Sequence, residues 1–196
     1  MNDFILISLV IIFIYIFLFF NRHNVIYIKA YTGEKFMVYK DEHNIDNNMN
    51  KANLLAQILK NLLTLKKYLV TNINMFPDYK EYIEQLDRNF KENRTVVYET
   101  DPTSNLTSYS VNKGEELSFC LKSKKNGNLH DINLLMYVAI HEMAHIACPE
   151  IGHGNLFKKI FKKFLEVAIT INLYRKDDYS VNNVEYCGMM LTSSIV

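Results

Sequence analysis

The sequence has few cysteines, almost no net charge and no internal repeats. Its three cysteines, Cys120, Cys148 and Cys187, are widely spaced, and no CxxC pair occurs. The sequence therefore predicts neither a disulfide framework nor a cysteine zinc site. Twenty-two Lys and Arg residues against 21 Asp and Glu residues give a formal net charge of +1. This near-neutral charge argues against a protein whose main role is to bind nucleic acid. With 49% hydrophobic residues, the chain is too apolar to be disordered.

One long apolar run lies at the N-terminus. It extends over seventeen residues, from Phe4 to Phe20, without a charged side chain. As a helix this run would be roughly 25 Å long, the short end of what crosses a membrane. A cleaved signal peptide is the alternative, but the first residues carry no Lys or Arg and no small-x-small cleavage site follows. We therefore predict a transmembrane anchor over residues 1–22, followed by one domain over residues 23–196.

The charges that flank this run predict its orientation. Asp3 precedes it, whereas Arg22, Lys29, Lys35 and Lys40 follow it. Positive residues favour the cytoplasmic side of a membrane, and unpaired cysteines agree with that compartment. The prediction is a single-pass membrane protein with its domain on the cytoplasmic side.

Beyond the apolar run, strand-like and helix-like patterns alternate. β-Branched and aromatic residues predict strands, and apolar residues at three- and four-residue steps predict helices. The predicted strands are a hairpin over 25–39 and segments near 95–99, 107–111 and 117–121. The predicted helices are about 50–71, 78–90, 132–147 and one that begins near 155, with Asp131 and Asn155 as N-caps of the last two. The domain is therefore expected to be α+β with a small β-sheet.

The predicted helix over 132–147 contains the motif His141-Glu142-Met143-Ala144-His145. Two histidines four residues apart lie on one face of a helix, so their imidazoles can converge on one metal ion. Glu142 can reach the same side, where a carboxylate can act on water activated by zinc. Two ordinary histidines on a helix are the alternative, since an HExxH pattern also occurs by chance.

A catalytic zinc site requires a third protein ligand and an open position. His153 follows His145 by eight residues and lies between two glycines, which with Pro149 allow the chain to reverse after the helix. Glu166, 21 residues after His145, is the competing candidate, and Glu150 is a weaker one. His153 is the preferred third ligand.

The stretch HEMAHIACPEIGHGNLF resembles the active-site segment of SprT-like and WLM-type zinc metallopeptidases. The resemblance extends to residues 108–121 and 186–188. These segments are similar to those of uncharacterised, single-pass peptidase-like proteins in large DNA viruses and protists. It implies that His141, His145 and His153 hold Zn²⁺, that Glu142 is the general base and that Phe157 is a packing aromatic.

The resemblance also implies a zincin-like fold, in which a strand beside the HExxH helix holds an extended substrate by backbone pairing. Residues 118–121 are the candidate for that strand, with a purely structural strand as an equal alternative. Tyr109 or Tyr186 could stabilise the oxyanion, with a packing role as the alternative for each. The predicted function is that of a membrane-anchored zinc-dependent metallopeptidase, which hydrolyses peptide bonds with a zinc-activated water and Glu142 as general base. The alternative is a membrane-tethered scaffold that binds zinc without catalysis, or an inactive peptidase remnant. The expected partners are a protein or peptide substrate and the membrane, and nucleic acid is a less favoured alternative.

Overall fold

The computed structural model describes residues 2–22, 24–42 and 44–196, and in the first helix it describes the side chains of residues 5–17. The helices are α1 (Asn2–Arg22), α2 (Ile45–Thr71), α3 (Lys80–Asn89), α4 (Ile132–Ala147) and α5 (Asn155–Thr170). The strands are β1 (Val25–Lys29), β2 (Lys35–Tyr39), β3 (Val96–Glu99), β4 (Tyr109–Val111), β5 (Glu116–Phe119), β6 (Val184–Tyr186) and β7 (Met189–Leu191). The predicted mixture of helices and short strands is confirmed.

Helix α1 contains the apolar run, and its large side chains from Ile5 to Phe17 are exposed. Among the residues that the structure describes, no helix combines the length and the apolar character that a membrane crossing requires. The predicted transmembrane anchor over residues 1–22 is therefore wrong, and so is the predicted single-pass localisation. Residue 1 and the side chains at both ends of the predicted run lie outside the described residues.

The main sheet has five strands in the order β1-β2-β3-β5-β4. Strands β1 and β2 form the predicted antiparallel hairpin, β2 runs parallel to β3, and β3 runs parallel to β5. Strand β4 closes the sheet as an antiparallel edge beside β5. Strands β6 and β7 form a separate antiparallel hairpin, which the sequence pattern did not predict.

Helix α4 is buried along almost its whole length. Its sequence is apolar on nearly every face, and such a helix is stable only inside a core. It packs against α2, α3, α5 and the β4–β5 edge of the sheet. The predicted cap is confirmed, because the Asp131 side chain accepts a hydrogen bond from the backbone N–H of Asn133 at 2.8 Å.

Helix α5 begins differently from the prediction. Gly154 occupies the N-cap position, with no side-chain cap, and Asn155 is the first helical residue. The extended backbone of Gly154 already turns the chain into the helix, so the predicted capping role of Asn155 is wrong.

The cysteine prediction is also wrong. Cys120 and Cys187 form a disulfide with their Cα atoms 6.1 Å apart, while Cys148 is free and buried. The two partners are 67 residues apart in sequence, and they meet because the β6–β7 hairpin lies against the end of β5. Sequence spacing does not report such a long-range approach, so the compartment inferred from unpaired cysteines has no support.

A buried ion pair fastens α2 to the sheet. Lys51 Nζ lies 2.9 Å from a Glu99 carboxylate oxygen, and the two side chains are 2% and 3% exposed. Lys51 also donates to the backbone carbonyl of Tyr39 at 2.7 Å, and the Tyr39 N–H donates to Glu99 at 2.7 Å. Every charge in this cluster therefore has an opposite charge and a hydrogen-bond partner.

Candidate metal centre

Helix α4 presents two of the predicted ligands to a cleft. His141 and His145 are one helical turn apart, and their ring centroids are separated by 4.8 Å. Both line the same cleft as Glu142. The packing of α4 on its other faces fixes the direction in which these side chains point.

The loop after α4 brings in the third histidine. Gly152 adopts a left-handed backbone conformation with a φ of 86°, which glycine tolerates without strain. The loop reverses there, and His153 Nε2 comes to lie 3.0 Å from His141 Nε2 and 3.1 Å from His145 Nε2. His141 Nε2 and His145 Nε2 are 3.2 Å apart. The three predicted histidines therefore converge on one point.

Hydrogen bonding does not account for this arrangement. Each imidazole Nε2 has either one lone pair or one N–H in the ring plane, so it cannot be directed at two nitrogens at once. A tetrahedral zinc ion holds histidine nitrogens at about 2.0–2.1 Å, which places them roughly 3.3 Å from one another. The observed separations of 3.0–3.2 Å fit that donor set.

An aromatic wall lies behind the three rings. Phe157 is 2% exposed and stacks on His145 at a centroid distance of 4.2 Å. Its ring also contacts His141 at 4.8 Å and His153 at 4.9 Å. The packing role predicted for Phe157 is confirmed, and this wall restricts the orientations available to all three imidazoles.

The environment favours neutral histidines. Burial, followed by the neighbouring imidazoles, lowers the pKa of His141 to about 3. Burial, followed by the charges of His153 and Lys113, lowers the pKa of His145 to about 4. At neutral pH both rings therefore keep the lone pair that a metal ligand needs.

Glu142 is a buried carboxyl group beside this centre, with 6% of its surface exposed. Burial raises the pKa of Glu142 to about 7, because an apolar environment disfavours the charged form. Burial likewise raises the pKa of Tyr186, and the charge of Glu142 adds to that increase. The charge of Glu142 is therefore felt at the Tyr186 hydroxyl.

The cleft has a volume of about 670 Å³. Both tyrosines that were predicted as oxyanion candidates, Tyr109 and Tyr186, line it together with the exposed residues Ile151 and Met189. The Tyr186 hydroxyl is hydrogen-bonded to the Ser108 hydroxyl. An open cleft of this size beside three converging nitrogens can admit a segment of polypeptide.

The prediction that residues 118–121 form the substrate-binding strand is wrong. Residues 118–121 begin in β5, which is paired on both sides, since Ser118 lies opposite Tyr98 in β3 and opposite Tyr109 in β4. An interior strand has no free backbone groups to offer. Strand β4 is the edge of the sheet and lines the cleft, so it occupies the position that the prediction assigned to β5.

The competing ligands do not join the cluster. Among the described residues, His141, His145 and His153 form the one group of at least three potential ligands. Glu166 lies on α5 and is paired with Lys163 at 2.5 Å, and Glu150 lies at the cleft. The structure therefore brings together the preferred set and leaves out both alternatives.

Lys113 is a residue of the site that the sequence did not indicate. Its ammonium group lies under the C-terminal end of α4, 2.6 Å from the backbone carbonyl of Cys148. The sequence around it was interpreted only as a polar connection between two strands, and a single lysine in such a turn carries no recognisable signal.

Sequence comparison finds relatives among uncharacterized viral proteins. No protein-family model matches the chain. It is 41% identical to the uncharacterized protein R325 of Acanthamoeba polyphaga mimivirus over 171 residues, which make up 87% of this chain and 84% of that protein. The chain therefore belongs to the family of this mimivirus protein, and the predicted likeness to uncharacterised viral proteins is confirmed.

A second relative matches a shorter part of the chain. An uncharacterized protein of Invertebrate iridescent virus 6 is 37% identical over 97 residues, which cover 48% of this chain and 53% of that protein.

Among solved structures, Wss1 from Saccharomyces cerevisiae aligns with this chain. The alignment covers 48% of this chain and 76% of Wss1, at 19% identity and a TM-score of 0.37. A likeness at that score does not establish a shared fold or activity.

Proposed function

We propose that this protein is a zinc-dependent peptidase whose active site is the cleft beside α4. The observation that carries the proposal is the convergence of three histidine Nε2 atoms to within 3.0–3.2 Å, next to a buried carboxyl group in an open cleft. Three protein ligands with one open position distinguish a catalytic zinc site from a structural one.

His141, His145 and His153 would hold the ion through their Nε2 atoms. When bound, zinc supplies Lewis-acid chemistry, which polarises a substrate carbonyl and lowers the pKa of water. The Phe157 wall and the rigid helix α4 keep the imidazoles oriented, and burial keeps His141 and His145 neutral for this purpose.

Glu142 is the group suited to move protons. Its pKa of about 7 lies near working pH, where a general base both accepts a proton and releases it readily. It would take a proton from the attacking water and deliver it to the leaving amine. A structural zinc site has no use for such a carboxyl group.

Strand β4 is suited to hold the substrate. As the edge of the sheet it leaves one row of backbone N–H and C=O groups unpaired along residues 109–111, and Tyr109 and Ser110 line the cleft. An extended peptide can add to such an edge as a further strand. The arrangement favours cleavage of extended or unfolded segments of polypeptide.

The test measures zinc content and proteolysis together. Purified wild-type protein should contain about one zinc per chain and cleave unfolded casein. Glu142→Gln should keep the zinc and lose activity on the order of 10²–10⁴-fold, whereas Glu166→Gln, a change at a carboxylate on α5 outside the cluster, should retain activity. Wild-type protein without zinc would refute the proposal. Zinc without any proteolysis would instead support the scaffold or remnant function.

A further inference from the structure

The turn between β4 and β5 has an unusual backbone. Asn112, Lys113 and Gly114 follow one another with φ values of 47°, 55° and 108°. Left-handed conformations are uncommon for residues other than glycine, but consecutive positive φ values are typical of short hairpin turns. The contacts of the turn determine where it lies in the fold.

Those contacts are with the end of helix α4. A Cβ atom placed on Gly114 would lie 3.1 Å from the Ile146 side chain, so the backbone of the turn packs directly on the last turn of the helix. The Gly114 carbonyl accepts a hydrogen bond from the Thr95 hydroxyl at 2.7 Å. The turn is fixed between Thr95, which precedes β3, and α4, and a side chain at residue 114 would have to displace Ile146.

Lys113 uses this position to bind three carbonyl groups. Its Nζ donates to the backbone oxygens of His145 at 3.1 Å, Cys148 at 2.6 Å and Glu150 at 3.3 Å. An ammonium group has three N–H donors, so each carbonyl can receive one. The last carbonyls of a helix lack partners within it and favour a positive charge. Lys113 thus connects a ligand-bearing turn of α4 to the loop that follows.

That loop has few other restraints. Residues 150–153 are exposed, and among the described residues no side chain other than Lys113 donates a hydrogen bond to a backbone oxygen of residues 149–153. Gln85 binds the Ile146 carbonyl at 3.1 Å, but that contact ends on the helix. Lys113 alone spans from the helix to the start of the loop that carries His153.

We propose that Lys113 is a positioning residue for the third metal ligand: by binding the carbonyls of residues 145, 148 and 150 it fixes the loop that places His153 beside His141 and His145. This inference rests on the proposed function only in requiring that the centre bind zinc, and it does not require proteolysis. The Lys113 ammonium group binds these backbone carbonyls and none of the histidine Nε2 atoms.

The first test measures zinc affinity by competition with a chromophoric chelator. Lys113→Met keeps the aliphatic stem and loses the three donors, and it should weaken zinc binding on the order of 10- to 100-fold, as loss of a ligand's supporting contacts does. Lys113→Arg should restore most of the affinity. Lys66→Met is the matched control, because Lys66 also donates to a backbone carbonyl, that of Phe90 at 2.8 Å, and it should leave the affinity unchanged.

The second test asks whether Lys113 acts through His153. In a His153→Ala background, Lys113→Met should cost no further zinc affinity, since coupled positions are non-additive. An equal loss in both backgrounds would overturn the inference, and so would wild-type affinity in Lys113→Met. If Lys113→Met does not fold, the milder Lys113→Gln must still weaken zinc binding in a folded protein. Wild-type protein that binds no zinc would overturn this inference together with the proposed function, whereas zinc binding without proteolysis would refute only the peptidase.

Discussion

Two polar clusters in this molecule are built from groups at similar distances but in opposite ways. In the first, Lys51 and Glu99 lie 2.9 Å apart with Tyr39 completing their hydrogen bonds. In the second, the three histidine nitrogens lie 3.0–3.2 Å apart with no acceptor matched to each donor. The first cluster is complete in itself, whereas a cation would complete the second.

Their surroundings differ in the same sense. The ion pair is almost wholly enclosed, with side chains 2% and 3% exposed, and it lies where α2 covers the sheet. The histidines open onto a cleft of about 670 Å³, and His153 is exposed. An enclosed cluster in which every group has its partner indicates a structural role. An accessible cluster whose nitrogens lack matched partners indicates a ligand site.

Breaking the ion pair should have the largest effect on stability. Lys51→Met is expected to lower the free energy of unfolding by roughly 3–5 kcal/mol, because the charge of Glu99 is left buried without its partner. Urea unfolding measures this loss. The double variant Lys51→Met/Glu99→Leu should recover much of it, since apolar residues can replace a buried pair. A single variant as stable as wild type would contradict the structural role.

The histidine cluster should respond to metal instead. Zinc at a hundredfold excess over its dissociation constant is expected to raise the free energy of unfolding by about 2.7 kcal/mol, because it binds the folded chain. Thermal unfolding with and without zinc measures this increase. His153→Ala should abolish most of the increase and leave the stability of the metal-free protein almost unchanged, and an equal increase in that variant would exclude His153 as a ligand.

The stability of the metal-free protein should also depend on pH. Burial lowers the pKa of His141 to about 3 and that of His145 to about 4, against about 6.5 in an unfolded chain. Between those values the unfolded chain binds more protons, so the stabilisation is fully present above pH 6.5 and is lost as the pH falls towards 4 and 3. The melting temperature of the metal-free protein should therefore fall over this range.

The control for this titration is the double variant His141→Gln/His145→Gln. It keeps every titrating carboxyl group of the wild type and lacks the two shifted imidazoles. Its melting temperature should change less with pH between 4 and 6.5. Parallel curves for the two proteins would show that these histidines are not buried in neutral form.

The smallest effect should come from an exposed ion pair. Arg94 and Glu115 lie 2.9 Å apart, but their side chains are 58% and 44% exposed. Arg94→Ala is expected to change the free energy of unfolding by less than about 1 kcal/mol, because solvent screens such pairs. Urea unfolding of Arg94→Ala and Lys51→Met under the same conditions compares the two losses of free energy. Losses of similar size would contradict the distinction between exposed and enclosed ion pairs.

Local patterns predicted the parts of this molecule that depend on local geometry. Helical spacing alone places His141 and His145 on one face, and the glycines around His153 allow the reversal that follows. The short strands also follow from their own alternation. That these histidines hold zinc, and that Glu142 acts as the base, stays a prediction until metal and activity are measured.

Long-range relations were not predictable from these patterns. The position of β5 between β3 and β4 depends on pairing between distant segments, which is why the wrong strand was chosen for substrate. The disulfide and the contacts of Lys113 likewise join residues far apart in sequence. The three-residue strands β6 and β7 are too short to produce a readable period, and the apolar run of α1 was interpreted from length and composition alone.

The disulfide between Cys120 and Cys187 determines what happens to the protein when its backbone is cut between these two residues. It closes a ring that contains α4, the His153 loop and α5. Ile151, at 97% exposure, makes the tip of that loop an accessible place for a protease to cut. A nick there would open the ring without releasing either piece, so the cut protein would migrate as one chain until a reductant separated it into two.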